Sequence, residues 1–256
     1  MSTHEAPPPT ANRILGALPR AEYEQLSQHL ERVTLAHGDY AIVPDEPIRH
    51  VYFPLNCLLS MVTTMRDGAT VECNTIGREG MSGIPVLLDA AQTTMPTFCQ
   101  VPGEAMRVRA NVLKDAYERG GAARKLLNRY VHTVIVVGSH STACNRLHPL
   151  EQRFYKWLLM SSDGTGSDEV NLTHEYLAVM LGVRRAGVTE AAVKAKQEGL
   201  IDYHRGQIRI LDRDGVEARA CECRARTKAE YERLFAGEVN PADRLTDPAR
   251  PARLQQ

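Results

Sequence analysis

The stretch from Leu172 to Leu211, LTHEYLAVMLGVRRAGVTEAAVKAKQEGLIDYHRGQIRIL, constrains the fold more than any other part of the chain. Thr173 is an N-cap type, whose hydroxyl can accept from an orphan amide of the first helical turn. Leu177, Met180 and Leu181 follow at helical spacing and can face a small core. Gly182 stands where a left-handed residue lets the chain reverse, and Val183 can plug the corner. A second helix is expected from about Arg184 to Glu198, burying Val188, Ala192 and Ala195. Its remaining surface carries Arg184, Arg185, Thr189, Glu190 and Lys194, and Gly199 ends it. Leu200, Ile201 and Tyr203 read as a strand. His204-Arg205-Gly206-Gln207 reads as a tight turn, and Ile208, Ile210 and Leu211 as the returning strand.

Two short helices about a glycine turn, followed by a hairpin, form the pattern of a winged helix-turn-helix. The second helix of such a motif enters a DNA groove. DNA contacts are expected from Thr173, Arg184, Arg185, Thr189, Glu190 and Lys194, and from Arg205 and Arg209 in the wing. An Arg forks onto guanine O6 and N7, and a Glu accepts from cytosine N4. The plainer reading is a helical hairpin with solvated charges. Cap, turn glycine, basic helix start, terminal glycine and basic wing agree against it. The segment resembles the Crp/Fnr family of bacterial transcription regulators, with LGVRRAGVT at the turn and the start of the recognition helix. That resemblance puts Arg184 and Arg185 at base- and phosphate-contacting positions, with Thr189 and Glu190 one turn on. It also implies RNA polymerase as a further partner.

A chain of 256 residues fits two modest domains. Its 43% hydrophobic and 24% charged residues are ordinary for a soluble globular protein. The formal net charge is zero, so affinity for double-stranded DNA must come from local charge such as the Arg184–Arg209 stretch. No run approaches the roughly 20 apolar residues that span a bilayer. No basic-then-apolar leader opens the chain. A cytoplasmic protein with no membrane partner is expected. Residues 1–17 read as a flexible arm, and residues 223–256 as a C-terminal helix followed by a disordered tail.

Residues 18–118 read as a β-rich sensor. VTLAHGDYAIV, VYFPLNCLLSMVTTM, TVECNTIG, TFCQV and AMRVRA look like strands, with HGD, RDG, GREG and VPG as turns. Leu18–Leu30 and Asn111–Tyr117 look helical. The layout resembles the double-stranded β-roll of cyclic-nucleotide-binding domains, in Gly38-Asp39 and in Gly77-Arg78-Glu79-Gly80-Met81-Ser82-Gly83. The fold class expected is α+β: a jelly-roll-like β-roll, a long dimerisation helix and a winged helix-turn-helix. By the resemblance, amides of that glycine-rich turn and of a short helix at Pro85–Leu88 would cradle an anion. The departures are chemical. Ile84 stands where cyclic AMP binders carry a Glu for the ribose, and Met95-Pro96 where they carry the Arg for the phosphate. A buried phosphate without its charged partner loses several kcal/mol. The expected pocket of Arg78, Gly80, Met81, Ser82, Gly83, Ile84, Met95 and Pro96 therefore suits an unknown small-molecule effector other than cyclic AMP. No cysteine precedes Cys57, so the N-terminal iron–sulfur ligands of the family's oxygen-sensing branch are missing. His37, His50 and His140 are available to a haem, but lone histidines are more often structural.

After Gly120-Gly121, AARKLLNRYVHTVIVVGSHSTACNRL runs without proline to Pro149. Leu127, Val131, Val134, Gly138 and Ser141 recur every three or four residues, a seam suited to a two-stranded coiled coil. Residues 119–147 are thus expected to join a homodimer, placing two recognition helices one DNA turn apart on a near-palindromic site. The alternative is a helix packed on its own domain. Residues 148–222 would form the DNA-binding domain, with Phe154, Trp157, Leu158 and Leu159 in its first helix.

Of the six cysteines, Cys57, Cys73, Cys99 and Cys144 are scattered singly. In a cytosolic protein such residues stay reduced and partly buried. Cys221-Glu222-Cys223 is the one close pair. A C-x-C is short of the four ligands of structural zinc. His204 and His174 could join it, but no spacing demands that, so neither metal nor cofactor is expected. His174-Glu175-Tyr176-Leu177-Ala178 begins like the zinc motif H-E-x-x-H, but Ala178 replaces the second histidine. No Walker loop or G-x-S-x-G is present, and an enzyme is not expected. The alternative to a transcription regulator is a ligand-sensing module whose winged helix contacts protein. A mobility-shift assay separates the two.

Overall fold

The structure is a computed structural model that describes residues 8–204 and 206–236. A short 3-10 turn leads into α1 (Arg13–Gly16) and α2 (Arg20–Ser27). Strands β1 (Glu31–Leu35), β2 (Tyr40–Ile42), β3 (His50–Pro54), β4 (Leu58–Thr64) and β5 (Thr70–Ile76) follow. Next come α3 (Ile84–Leu87), β6 (Thr97–Val101), β7 (Gly103–Arg109) and α4 (Ala110–Glu118). The strands form two antiparallel sheets, ordered β1-β7-β3 and β2-β6-β4-β5. Leu35, Tyr52, Cys57, Leu59, Ile76 and Cys99 fill the space they enclose. The apolar run VYFPLNCLLSMVTTM is split between the sheets. Asn56 sits at the break, and its Oδ1 accepts from the Glu104 amide at 2.7 Å.

Residues 8–17, expected to be part of a loose arm, are packed. Asn12 is fully buried. Its Oδ1 caps α1 by accepting from the amides of Ile14 and Leu15, and its Nδ2 donates to the carbonyls of Pro54 and Gly80. Ile14 and Leu15 then enter the core. One Asn clamps three segments, and that is invisible when the stretch is read only as polar and proline-rich.

Helix α5 (Gly121–Leu147) spans 27 residues, about 40 Å at 1.5 Å per residue. The β-roll covers one side of it. Leu126, Leu127, Tyr130 and Val137 join the core shared with Phe53, Met81 and Met106, and Val131 and Val134 pack half-buried against it. The Tyr130 hydroxyl donates to the Met81 carbonyl at 2.8 Å and accepts from its amide at 2.9 Å. Of the expected seam, Leu127 is turned inward, Val131 and Val134 lean the same way half-buried, and Gly138 and Ser141 are partly exposed. The uncovered stripe lies one residue over, at His132, Ile135, Ser139 and Thr142. Its spacing is the same 3–4 alternation, and Ile135 is 63% exposed.

The remaining elements are α6 (Leu150–Thr165), β8 (Glu169–Asn171), α7 (His174–Leu181), α8 (Arg185–Gln197), β9 (Ile201–His204), β10 (Gln207–Ile210), α9 (Arg213–Arg219) and α10 (Cys223–Phe235). Phe154, Trp157, Leu158 and Leu159 of α6 pack with Leu177, Val188, Ala192 and Ile208. The same cluster takes in Leu58 and Val101 of the β-roll. Where α6 meets the turn after β5 the backbones nearly touch: a Cβ on Gly77 would lie 2.3 Å from the Gly164 Cα. Helix α10 folds back on α5 and the N-terminus, where Arg13 pairs with Glu232 at 3.1 Å and stacks over Phe235. The expected tail beyond it lies outside the described residues. Among those described, no helix is long and apolar enough to cross a membrane.

Candidate DNA interface and effector pocket

Local rules place the helix-turn-helix. Thr173 Oγ1 accepts from the Tyr176 amide at 3.3 Å and caps α7. Gly182 ends that helix at φ 63°, the left-handed region that glycine enters without a Cβ penalty. Arg184 is the extended residue that starts α8. Val188, Ala191, Ala192 and Ala195 bury one face of α8. Small residues there let α8 lie close to α6 and α7. The opposite face is uncovered and carries Arg185, Ala186, Glu190 and Val193. Strands β8, β10 and β9 form the wing sheet beside it.

The sequence-predicted contact residues divide by their partners. Arg185 is loosely held, 3.8 Å from Glu175 with both side chains largely exposed, so it can turn toward a phosphate or base at little cost. Arg184, Glu190 and Arg209 are exposed. Lys194 sits on the flank of α8, its ammonium 2.9 Å from Glu151 of α6. Thr189 is occupied within the motif: its hydroxyl donates to the Arg185 carbonyl at 3.1 Å and meets His174 Nδ1 at 3.1 Å. With that hydroxyl proton committed, Nδ1 must be the donor to Thr189. His174 also stacks on Tyr203 at 4.0 Å. Burial, reinforced by Arg185, lowers its pKa, so it stays neutral as a structural group. Thr173 is spent on its cap. Arg205 lies outside the described residues. Ala186 and Val193 were missed by a search for charged residues, although a helical wheel exposes them. Small methyl-bearing side chains in a groove suit the thymine methyl group.

The β-roll holds a cavity of about 300 Å³ between the sheet of β4 and β5, α3 and α5. Met81, Ser82, Gly83, Ile84 and Met95 line it, as expected of them. Three residues expected there do not. Arg78 lines a separate groove with Glu79 and Asp163, because its backbone is tied to Gly164 at 2.9 Å. Gly80 faces the Tyr130 hydroxyl, which leaves no room for a side chain. The Pro96 carbonyl is engaged by the Val62 amide at 3.1 Å. No charged side chain lines the cavity among the described residues. Its polar element of note is Asn74, which the sequence reading missed. That residue is 4% exposed, and its Nδ2 has no hydrogen-bond partner among the described residues. A lone Asn in a strand gives no signal of which face it takes.

A family model described as the Crp-like helix-turn-helix domain matches residues 152–219. No curated protein matches the chain. Among solved structures, the fold resembles a crp/fnr-family transcriptional regulator from Eubacterium rectale, at TM-score 0.62 and 17% identity over 82% of this chain and 98% of that one. FixK2 from Bradyrhizobium japonicum aligns at TM-score 0.60 and 12% identity, over 75% of this chain and 98% of that one. The c-di-GMP-responsive global regulator CLP of Xanthomonas campestris aligns at 0.59 and 12%, over 75% and 99%. At these identities the likeness is one of fold.

Proposed function

For a chain whose residues 152–219 match the Crp-like helix-turn-helix domain and whose fold resembles that of a crp/fnr-family regulator, we propose a transcription regulator of Crp/Fnr type that binds a near-palindromic operator sequence-specifically as a homodimer. The β-roll cavity acts as its effector site. The observation that carries this reading is the form of α8. One face is sealed by Val188, Ala191, Ala192 and Ala195, and the other is left bare with Arg185 at its start. A helix so exposed beside a three-stranded wing fits the major groove.

The free stripe of α5 supplies the second copy's docking face. A dimer paired through Ile135 has to present its two α8 helices about 34 Å apart, one turn of DNA. The effector is a neutral, largely apolar molecule. A charged one would enter a cavity without a counter-charge, and the Asn74 amide is free to donate to an acceptor on the ligand. RNA polymerase contact follows only from the regulatory role.

The direct test is a mobility-shift assay with fragments of the genome that encodes the chain. Discrete complexes that survive excess random DNA support the reading. Retardation of every fragment alike, disappearing with modest salt, would leave only charge attraction.

A further inference from the structure

Cys144 and Cys221 are 77 positions apart in sequence, yet their Sγ atoms stand 3.6 Å apart. Cys144 and His148 are one helical turn apart at the end of α5. Cys221 and Cys223 flank the start of α10. The Cys223 Sγ lies 3.6 Å from His148 Nδ1. The four ligand atoms all fall within 4.8 Å of one another, with the three thiols buried and His148 half-buried. These spacings are not those of a disulfide, whose sulfurs are about 2.05 Å apart. Two sulfurs bound tetrahedrally to one zinc at about 2.3 Å stand about 3.75 Å apart, and a sulfur and an imidazole nitrogen about 3.6 Å.

We propose that Cys144, His148, Cys221 and Cys223 form a structural zinc site. The donor set is three soft thiolates and one imidazole, the composition of closed tetrahedral zinc centres. A second shell is in place. Glu222 Oε2 lies 3.0 Å from His148 Nε2, which holds the proton there and leaves the Nδ1 lone pair to the metal. Three thiolates on a dication leave one net negative charge. Lys156 supplies the opposite charge, with its Nζ 3.4 Å from the Cys144 Sγ. The four donors crowd one point, with no room for the sulfide bridges of a cubane cluster.

The site joins the end of α5 to the start of α10, beside Pro149, where α6 begins. A metal there would lock the winged-helix part onto the long helix and onto the α10 return. It needs no DNA and no effector, so it stands or falls apart from the regulatory reading.

The experiment uses the full chain, purified under reductant and washed with a weak chelator. Elemental analysis should find one zinc per chain. Cobalt exchanged into the wild-type protein should give thiolate charge-transfer absorption and the intense visible bands of tetrahedral cobalt. Stripping the metal with a strong chelator should lower the thermal midpoint, and zinc should restore it. Glu222→Ala, at a largely exposed side chain, should keep the fold and weaken zinc binding about 10–100-fold. A folded wild-type chain with no zinc, and with the Cys144, Cys221 and Cys223 thiols reacting equally fast with or without added zinc, would overturn the proposal. So would a Cys144–Cys221 disulfide in the purified protein, or zinc retained at full affinity by a folded His148→Ala/Cys223→Ser variant. If that double variant does not fold, the wild-type cobalt spectrum still decides: octahedral bands without charge transfer refute the site.

Discussion

The indole Nε1 of Trp157 donates to the Glu72 carboxylate at 3.1 Å. Helix α6 of the winged-helix part is thereby bonded to strand β5 of the β-roll. Ser60 and Thr75 also donate to that carboxylate, the latter at 2.9 Å. Two residues along the same strand, Asn74 reaches the cavity. One strand thus touches both the cavity proposed to hold an effector and helix α6 at the base of the helix-turn-helix, and a ligand that moved β5 would pull on Trp157.

Trp157→Phe keeps the apolar burial and removes the donor. We expect a loss of about 1–3 kcal/mol in denaturant unfolding, since a buried acceptor loses a partner. An unchanged midpoint and slope would show that the bond is absent in solution.

Burial raises the Glu72 pKa, although the bonds from Ser60, Thr75 and Trp157 partly offset the rise. Between the ordinary value of 4.5 and that raised folded value, the native state binds more protons than the unfolded chain. Stability therefore falls as pH rises through the window. Glu79 is raised by burial in the same direction. Glu72→Gln should remove its own share and flatten the slope without abolishing it. A variant whose stability-versus-pH curve parallels that of the wild type would contradict this.

Arg185→Ala should weaken operator binding by about 1–3 kcal/mol and relax base preference, because Arg185 stands free at the start of the exposed face of α8. Lys194→Ala should cost less, since its ammonium is already held by Glu151. Equal losses from the two in a quantitative shift assay would mean that α8 docks on its flank.

Ile135→Glu should yield monomers with an intact fold, because it places like charges in the proposed seam and touches nothing within its own chain's core. Light scattering reads the mass. A dimer that persists would place the partner elsewhere.

Cyclic AMP at millimolar concentration should give no calorimetric signal, the level of about −4 kcal/mol. Ile84 and Met95 line the cavity and, among the described residues, no cation does. A micromolar dissociation constant would mean that a cation from outside this lining, such as the Arg78 side chain, turns in to meet the phosphate.

Much of the winged helix was legible in the sequence because its signals are local. The Thr173 cap, the Gly182 turn and the Val188–Ala192–Ala195 stripe each depend on residues within a turn or two, and the backbone satisfies them wherever the motif sits. The β-roll was legible in outline through its short strands and turns. Periodicity on α5 picked out one stripe, Leu127 to Ser141, but which face of the helix is left bare was decided by the β-roll that covers Leu127. The burial of Asn12, the outward swing of Arg78 and the loss of Thr189 to His174 were decided in the same way, by partners 15 to 86 residues away. The gathering of Cys144, His148, Cys221 and Cys223 belongs here too. Local spacing gives two half-sites of two ligands each, and only the return of α10 onto α5 makes four. Contacts that close such long loops leave no trace in local pattern, because their register is set by the packing of whole elements rather than by neighbours along the chain.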